Sequence, residues 1–177
     1  PTVFESANSG YISATTLTNG NVLIAYRDAG NASYGTFVIY DSAGVQVVAP
    51  TVFESARSDY CSATTLTNGN VLIAYQDGGN LSYGTFVIYD SAGAQVVAPT
   101  VFESAQSIYI SATTIDGYAV ISYVANNAGR HVIIADDGTL TTSPYAFNGD
   151  TTYSSVTTLD DGSVMVAYTD IDNSDFG

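Results

Sequence analysis

The amino-acid sequence predicts an all-β fold assembled from repeated four-stranded antiparallel units, and three observations carry that expectation. First, Pro1, Pro50, Pro99 and Pro144 each open a copy of one repeat, so the copies are 1–49, 50–98, 99–143 and 144–177. Second, the first two copies differ at only seven positions: Asn8/Arg57, Gly10/Asp59, Ile12/Cys61, Arg27/Gln76, Ala29/Gly78, Ala32/Leu81 and Val45/Ala94. Third, β-branched and aromatic residues come in short runs separated by turn residues, and no stretch has a helical period.

Each copy divides into four strands. The first is expected at 11–17 and the second at 22–27. Asn19-Gly20 between them predicts a type I′ hairpin turn, which needs positive φ at both central residues. A loop over 28–33 leads to the third strand at 35–40. The turn Asp41-Ser42-Ala43-Gly44 then leads to the fourth at 45–54, which runs through Pro50.

Four antiparallel strands recurring about every 49 residues predict the blade of a β-propeller. The prolines agree, because a residue that cannot donate to a ladder belongs on an edge, and each falls in the expected outer strand. The first strand, with Ser13, Ala14, Thr15 and Thr16, suits the innermost position. The chain is then one propeller-type repeat unit over 1–177, with three full blades and a partial fourth. The last copy stops just before its third strand, as in an incomplete ring or a fragment. Residues 1–5 are expected to form a fourth strand detached from its own blade.

The segments L-T-N-G-N-V-L-I-A-Y (17–26 and 66–75), L-D-D-G-S-V-M-V-A-Y (159–168) and Y-D-S-A-G (40–44 and 89–93) resemble the degenerate propeller repeats of large bacterial surface and adhesin-type proteins. The resemblance spans nearly the whole chain and implies a fold and an extracellular setting, with no reaction attached. The Y-D-S-A-G turn departs from the Asp-box of sialidase-type propellers, since Asp41 and Gly44 stand three apart with no Trp nearby.

Composition narrows the partners. Seventeen acidic residues stand against three Arg and no Lys, for a formal charge of -14. Such a surface repels phosphate, so neither nucleic acid nor an anionic membrane is an expected partner, and no apolar run is long enough for a membrane helix. Hydrophobic content of 46% with 11% charged residues excludes disorder. Cys61 occupies the position of Ile12 and Ile110 and is expected to be a buried small hydrophobe. The acidic, Lys-free, Tyr- and Thr-rich composition points to an extracellular location or a cell or virion surface.

No enzymatic activity is expected. Arg27, Arg57 and Arg130 lie at three non-equivalent repeat positions and so form no carboxylate-holding cluster, and His131 has no nucleophile or second His at an informative spacing. Glu5, Glu54 and Glu103 recur once per copy and are expected to be edge-strand charges that block sheet association. No cofactor is expected apart from Ca²⁺, for which Asp170, Asp172 and Asp175 supply hard oxygen ligands. Asn31-Ala32-Ser33 and Asn80-Leu81-Ser82 are formal glycosylation sequons.

The differences between copies one and two carry the functional expectation. Six of the seven lie in the fourth-to-first and second-to-third connections, which emerge on one face of a four-stranded blade. That varied face is the expected binding face, with Asn8, Tyr11, Arg27, Tyr34, Arg57, Tyr60, Gln76 and Tyr83 as ligand contacts. The ligand is a glycan or a surface protein, bound in an adhesin or host-recognition role. The alternative is a purely structural module of a surface layer, stalk or fibre. Self-association, or blades supplied by a longer chain or another copy, follows from the incomplete ring.

Overall fold

The computed structural model describes residues 3–171, and among these every regular element is a strand. Eleven strands follow chain order: β1 (Ser9–Thr16), β2 (Val22–Asp28), β3 (Tyr34–Tyr40), β4 (Gln46–Thr65), β5 (Val71–Asp77), β6 (Tyr83–Tyr89), β7 (Gln95–Ile115), β8 (Tyr118–Ala125), β9 (Ala128–Ala135), β10 (Tyr145–Thr158) and β11 (Val164–Asp170). Each pairs antiparallel with the next, which makes one continuous all-β ladder from β1 to β11.

The expected fourth and first strands of successive copies are not separate. In β4, residues up to Arg57 pair with β3, whereas Ser58 onward pairs with β5. β7 and β10 likewise serve two units each. The physical reason is that 51–65 contains neither Gly nor Pro, so nothing stops the extended backbone. Four hydrogen-bonded units result, and the long strands carry the chain from one to the next.

The turn at Asn19-Gly20 differs from the expected type I′. Only Gly20 has positive φ (84°), its N–H donates to Leu17 C=O at 2.9 Å, and Leu17 N–H donates to Asn21 C=O at 2.8 Å. That is a type I turn closed by a left-handed Gly, and the Asn19 side chain accepts from Asn21 N–H at 3.0 Å instead of entering the left-handed region. Two-residue turns with positive φ at both positions occur at Asp116-Gly117 and Asn126-Asn127 in the third copy.

Units pack face to face through a repeated interlock. Gly35 leaves room for the Phe53 ring, since a Cβ there would lie 2.3 Å from it; Phe53 in turn packs on Tyr75 with ring centroids 5.0 Å apart. Gly84, Phe102 and Tyr123 repeat the arrangement, as do Gly129, Phe147 and Tyr168. Around these rings Leu23, Ala25 and Phe37 of the first unit meet Val71, Ile73 and Val87 of the second in a fully buried core.

The recurring glutamates belong to this interlock, which corrects their expected role as edge-strand charges that block sheet association. The hydroxyls of Tyr26, Tyr75 and Tyr123 donate to Glu5, Glu54 and Glu103 at 3.2, 3.1 and 3.1 Å. A buried phenol needs an acceptor, and the long strands β4 and β7 deliver Glu54 and Glu103 beside Phe53 and Phe102. The expected detached strand at 1–5 is also corrected: residues 3–5 lie outside any strand, yet Phe4 still packs edge-on against Tyr26 at 5.1 Å. Pro1 and Thr2 lie outside the described residues.

The first strands of the four units lie side by side, joined by hydroxyls and not by a backbone ladder. Ser13, Ser62 and Ser111 accept from the N–H groups of Ala63, Ala112 and Val156 at 3.0, 3.0 and 3.1 Å. Thr15 meets Thr65, Thr64 meets Thr114 and Thr113 meets Thr158 at 2.9–3.0 Å. Short hydroxyl side chains are the ones that permit this close approach.

Candidate functional site

Each first strand carries a bulge, marked by register shifts between Gly10 and Ser13, Asp59 and Ser62, Ile108 and Ser111, and Thr152 and Ser154. A tyrosine sits at every one, with φ of 51° (Tyr11), 54° (Tyr60), 53° (Tyr109) and 58° (Tyr153). Left-handed φ on a bulky residue costs on the order of 1–3 kcal/mol and persists only where surrounding contacts repay it. Here the repayment is aromatic: the four rings form a ladder with centroid separations of 4.8, 5.4 and 4.3 Å. Burial raises the Tyr60 phenol above its ordinary value, and the Tyr153 hydroxyl beside Tyr109 raises that one.

An ion-pair cluster flanks the ladder at its Tyr11 end. Arg27 reaches from β2 across the unit boundary to Asp59 in β4 at 2.5 Å, and Arg57 meets the other oxygen of the same carboxylate at 2.7 Å. The Arg27 guanidinium also lies over the Tyr11 ring, 4.8 Å from its centroid. Gly10 makes room for it, because a Cβ there would stand 3.1 Å from Arg27 Nη2. The two cations differ in exposure: the Arg27 side chain is 22% exposed and that of Arg57 62%. Arg57 uses Nε on Asp59, and among the described residues its Nη groups have no hydrogen-bond partner.

The expected contacts therefore divide. Tyr11, Arg27, Arg57 and Tyr60 come together around Asp59, and Tyr34 is the cross-strand neighbour of Arg57. Asn8 is exposed beside them and accepts from Ala29 N–H through its backbone carbonyl at 3.0 Å. Gln76, also an expected contact, is buried and donates to Ser107 C=O at 2.8 Å. Tyr83 faces Gln106 across the sheet, one unit away from the arginines. Arg27 and Arg57 converge on one carboxylate, that of Asp59, although their non-equivalent repeat positions predicted no such cluster. The varied positions do adjoin: 8 and 29 are hydrogen-bonded, as are 57 and 78.

Asp59, Tyr109 and Tyr153 are members of this surface that sequence reasoning missed. A tyrosine two residues before a serine in every copy (11, 60, 109, 153) was the available signal.

Of the expected Ca²⁺ ligands only Asp170 is described; Asp172 and Asp175 lie outside the described residues. Among the described residues no group of three or more His, Cys, Asp or Glu converges. In the equivalent loops Asp28 and Asp77 accept from Gly30 and Gly79 N–H, so a carboxylate at this position caps its own loop. Asp41 and Asp90 do the same in the opposite-face turns. His131 packs against Tyr145 at 5.5 Å. Cys61 is buried, as expected, and its thiol is pushed up to about 12 by that burial.

No protein-family model matches the chain. No curated protein matches it either. Solved structures similar to it include the NanB sialidase from Streptococcus pneumoniae in complex with 2-[(3-chlorobenzyl)ammonio]ethanesulfonate (TM-score 0.61, 15% identity, 88% of this chain and 27% of that one). A protein of unknown function from Dyadobacter fermentans is similar at a TM-score of 0.64 and 14% identity, over 93% of this chain and 63% of that one. A thermostable family-43 glycoside hydrolase is similar at 0.54 and 14%, over 89% and 64%. The chain spans about a quarter of the sialidase and less than two thirds of the other two. At these identities the likeness concerns the fold.

Proposed function

We propose that the chain is an arc of a β-propeller and serves as a non-enzymatic extracellular binding module. Its ligand is a glycan bearing a carboxylate, held on the face that carries the tyrosine ladder and Arg57. The propeller reading rests on the side-by-side first strands and on the fold likeness to glycoside-active proteins. The observation that carries the binding reading is Arg57, the most exposed of the three arginines on a chain of charge -14, set beside tyrosines held in left-handed conformations. A guanidinium with free Nη groups matches a carboxylate fork, and an aromatic edge and face suit the apolar side of a sugar ring.

A binding role suits the cluster better than hydrolysis. Asp59 accepts from both guanidiniums, so its oxygens are committed to holding Arg27 and Arg57 in place. One specific observation favours the structural-module alternative: successive ladder rings lie within 5.4 Å of each other and cover part of each other's faces. Screening the isolated chain on an array of neutral and acidic glycans separates these readings. The binding reading expects capture confined to acidic glycans without release of product, the structural reading expects none, and product release would identify an enzyme.

A further inference from the structure

We infer that Tyr109 and Tyr153 form an oxidative cross-linking site: a one-electron oxidant joins their rings as dityrosine and so ties the third unit to the fourth by a covalent bond. The neighbours of the two residues set them apart. The chain has 14 tyrosines, yet among the described residues every contact of one tyrosine ring with another belongs to the ladder of Tyr11, Tyr60, Tyr109 and Tyr153. The other tyrosines in aromatic contacts pack on Phe or His, rings with no phenol to oxidise.

Within the ladder Tyr109 and Tyr153 are the closest pair. Their centroids lie 4.3 Å apart with the planes inclined by 41°, against 4.8 and 5.4 Å at the other two contacts. The Tyr153 hydroxyl meets that of Tyr109, so the ring carbons ortho to the two oxygens, the ones that couple, lie at the same edge. The backbones are tied as well: Ser154 Oγ donates to the Tyr109 carbonyl at 3.0 Å. At the other two contacts the position of Ser154 is held by Cys61 and Ile110, neither of which has a hydroxyl. Both tyrosines also share the left-handed φ of their bulges, 53° and 58°, so the two rings leave their strands in the same way.

The reaction needs two equivalents of a one-electron oxidant. Each phenol gives one electron to the oxidant and its hydroxyl proton to solvent, which leaves a phenoxyl radical. The two radicals pair to form a carbon–carbon bond between ortho carbons, and the hydrogen on each of those carbons moves to the phenol oxygen and restores the hydroxyl. The product has two hydrogens fewer than the chain it came from. Competing donors are few, since the chain has no Trp and its one Cys is buried. A bond between β7 and β10 closes a loop through β8 and β9 and restricts the unfolded chain in the way a disulfide does.

Illumination of the full 177-residue chain with tris(bipyridyl)ruthenium and persulfate, a source of one-electron oxidant, tests this in dilute solution. The expected product runs as a monomer on a denaturing gel, carries dityrosine fluorescence, has lost two hydrogens, and yields on proteolysis a linked pair of peptides containing Tyr109 and Tyr153. Tyr153→Phe keeps the ring without the phenol and is expected to abolish that linked pair and lower the dityrosine yield of the monomer severalfold. Tyr145→Phe, at a tyrosine outside the ladder, is expected to leave both unchanged. The inference is overturned by the absence of dityrosine in the monomer, by a main linked pair that lacks Tyr109 or Tyr153, or by an unchanged yield in Tyr153→Phe. If Tyr153→Phe melts below the wild type, the wild-type peptide map decides alone.

Discussion

Arg27 in β2 and Asp59 in β4 meet at 2.5 Å across the boundary between the first two units, and the second boundary has no such pair. At the equivalent position Gln76 reaches the Ser107 carbonyl at 2.8 Å, and the residue equivalent to Asp59 is Ile108. The same strand-to-strand reach is thus used with two chemistries, and only the first leaves a cation, Arg57, projecting from the cluster.

Arg27→Gln and Arg57→Gln should differ in stability. The first removes a partly buried partner from a buried carboxylate and is expected to cost about 1–3 kcal/mol. The second acts at an exposed side chain and should stay within about 0.5 kcal/mol. Urea denaturation of both variants checks the order; equal losses would mean that Asp59 does not depend on Arg27.

Gly84→Ala is expected to destabilise the chain by about 1–3 kcal/mol, because the added Cβ would lie 2.5 Å from the Phe102 ring and 2.8 Å from Ser107 Oγ. Gly44→Ala, where a Cβ would meet nothing within 4 Å, introduces a different cost, the left-handed φ of 79°. Pairing Gly84→Ala with Phe102→Leu should recover part of the loss in thermal unfolding, whereas the Gly44→Ala loss should be unaffected by Phe102→Leu.

Glu54 gives a pH signature. Burial, and then the nearby Asp77 charge, raise its carboxyl above the ordinary value. A raised folded-state value means that the group favours the folded state most in acid and that this contribution is lost as pH rises through the raised value. Glu54→Gln keeps an acceptor for the Tyr75 hydroxyl and removes the charge. Its melting temperature relative to wild type is expected to be more favourable at pH 7 than at pH 4; a difference independent of pH would contradict the assignment.

Cys61 should be chemically silent in the folded chain, since its thiol is buried and pushed up to about 12. Mass spectrometry after iodoacetamide treatment is expected to show modification only with denaturant. Rapid labelling of the native chain would place the thiol at the surface.

Much of the fold was legible because strand signals are local. The β2 and β5 strands, Val22–Asp28 and Val71–Asp77, extend the runs expected at 22–27 and its counterpart by a single residue. The merging of the fourth and first strands into β4 was hidden because it depends on the absence of any breaker over 51–65, a negative signal. The roles of Glu54 and Gln76 were hidden for another reason: each is set by a partner 21 or 31 residues away that only packing brings near. The tyrosine ladder is half visible in the sequence, since Tyr11 and Tyr60 are expected contacts and Tyr109 and Tyr153 share their place in the repeat.

The central claim is that the tyrosine face with Arg57 holds a carboxylate-bearing sugar, and the most direct measurement is titration of the tyrosine ring resonances with 3′-sialyllactose and, separately, with lactose. Saturable shifts at Tyr11 and Tyr60 are expected with the acidic sugar, much weaker ones with lactose, and loss of the difference in Arg57→Gln. Ladder resonances unmoved by either sugar, or an acidic-sugar response that Arg57→Gln leaves intact, would contradict the account.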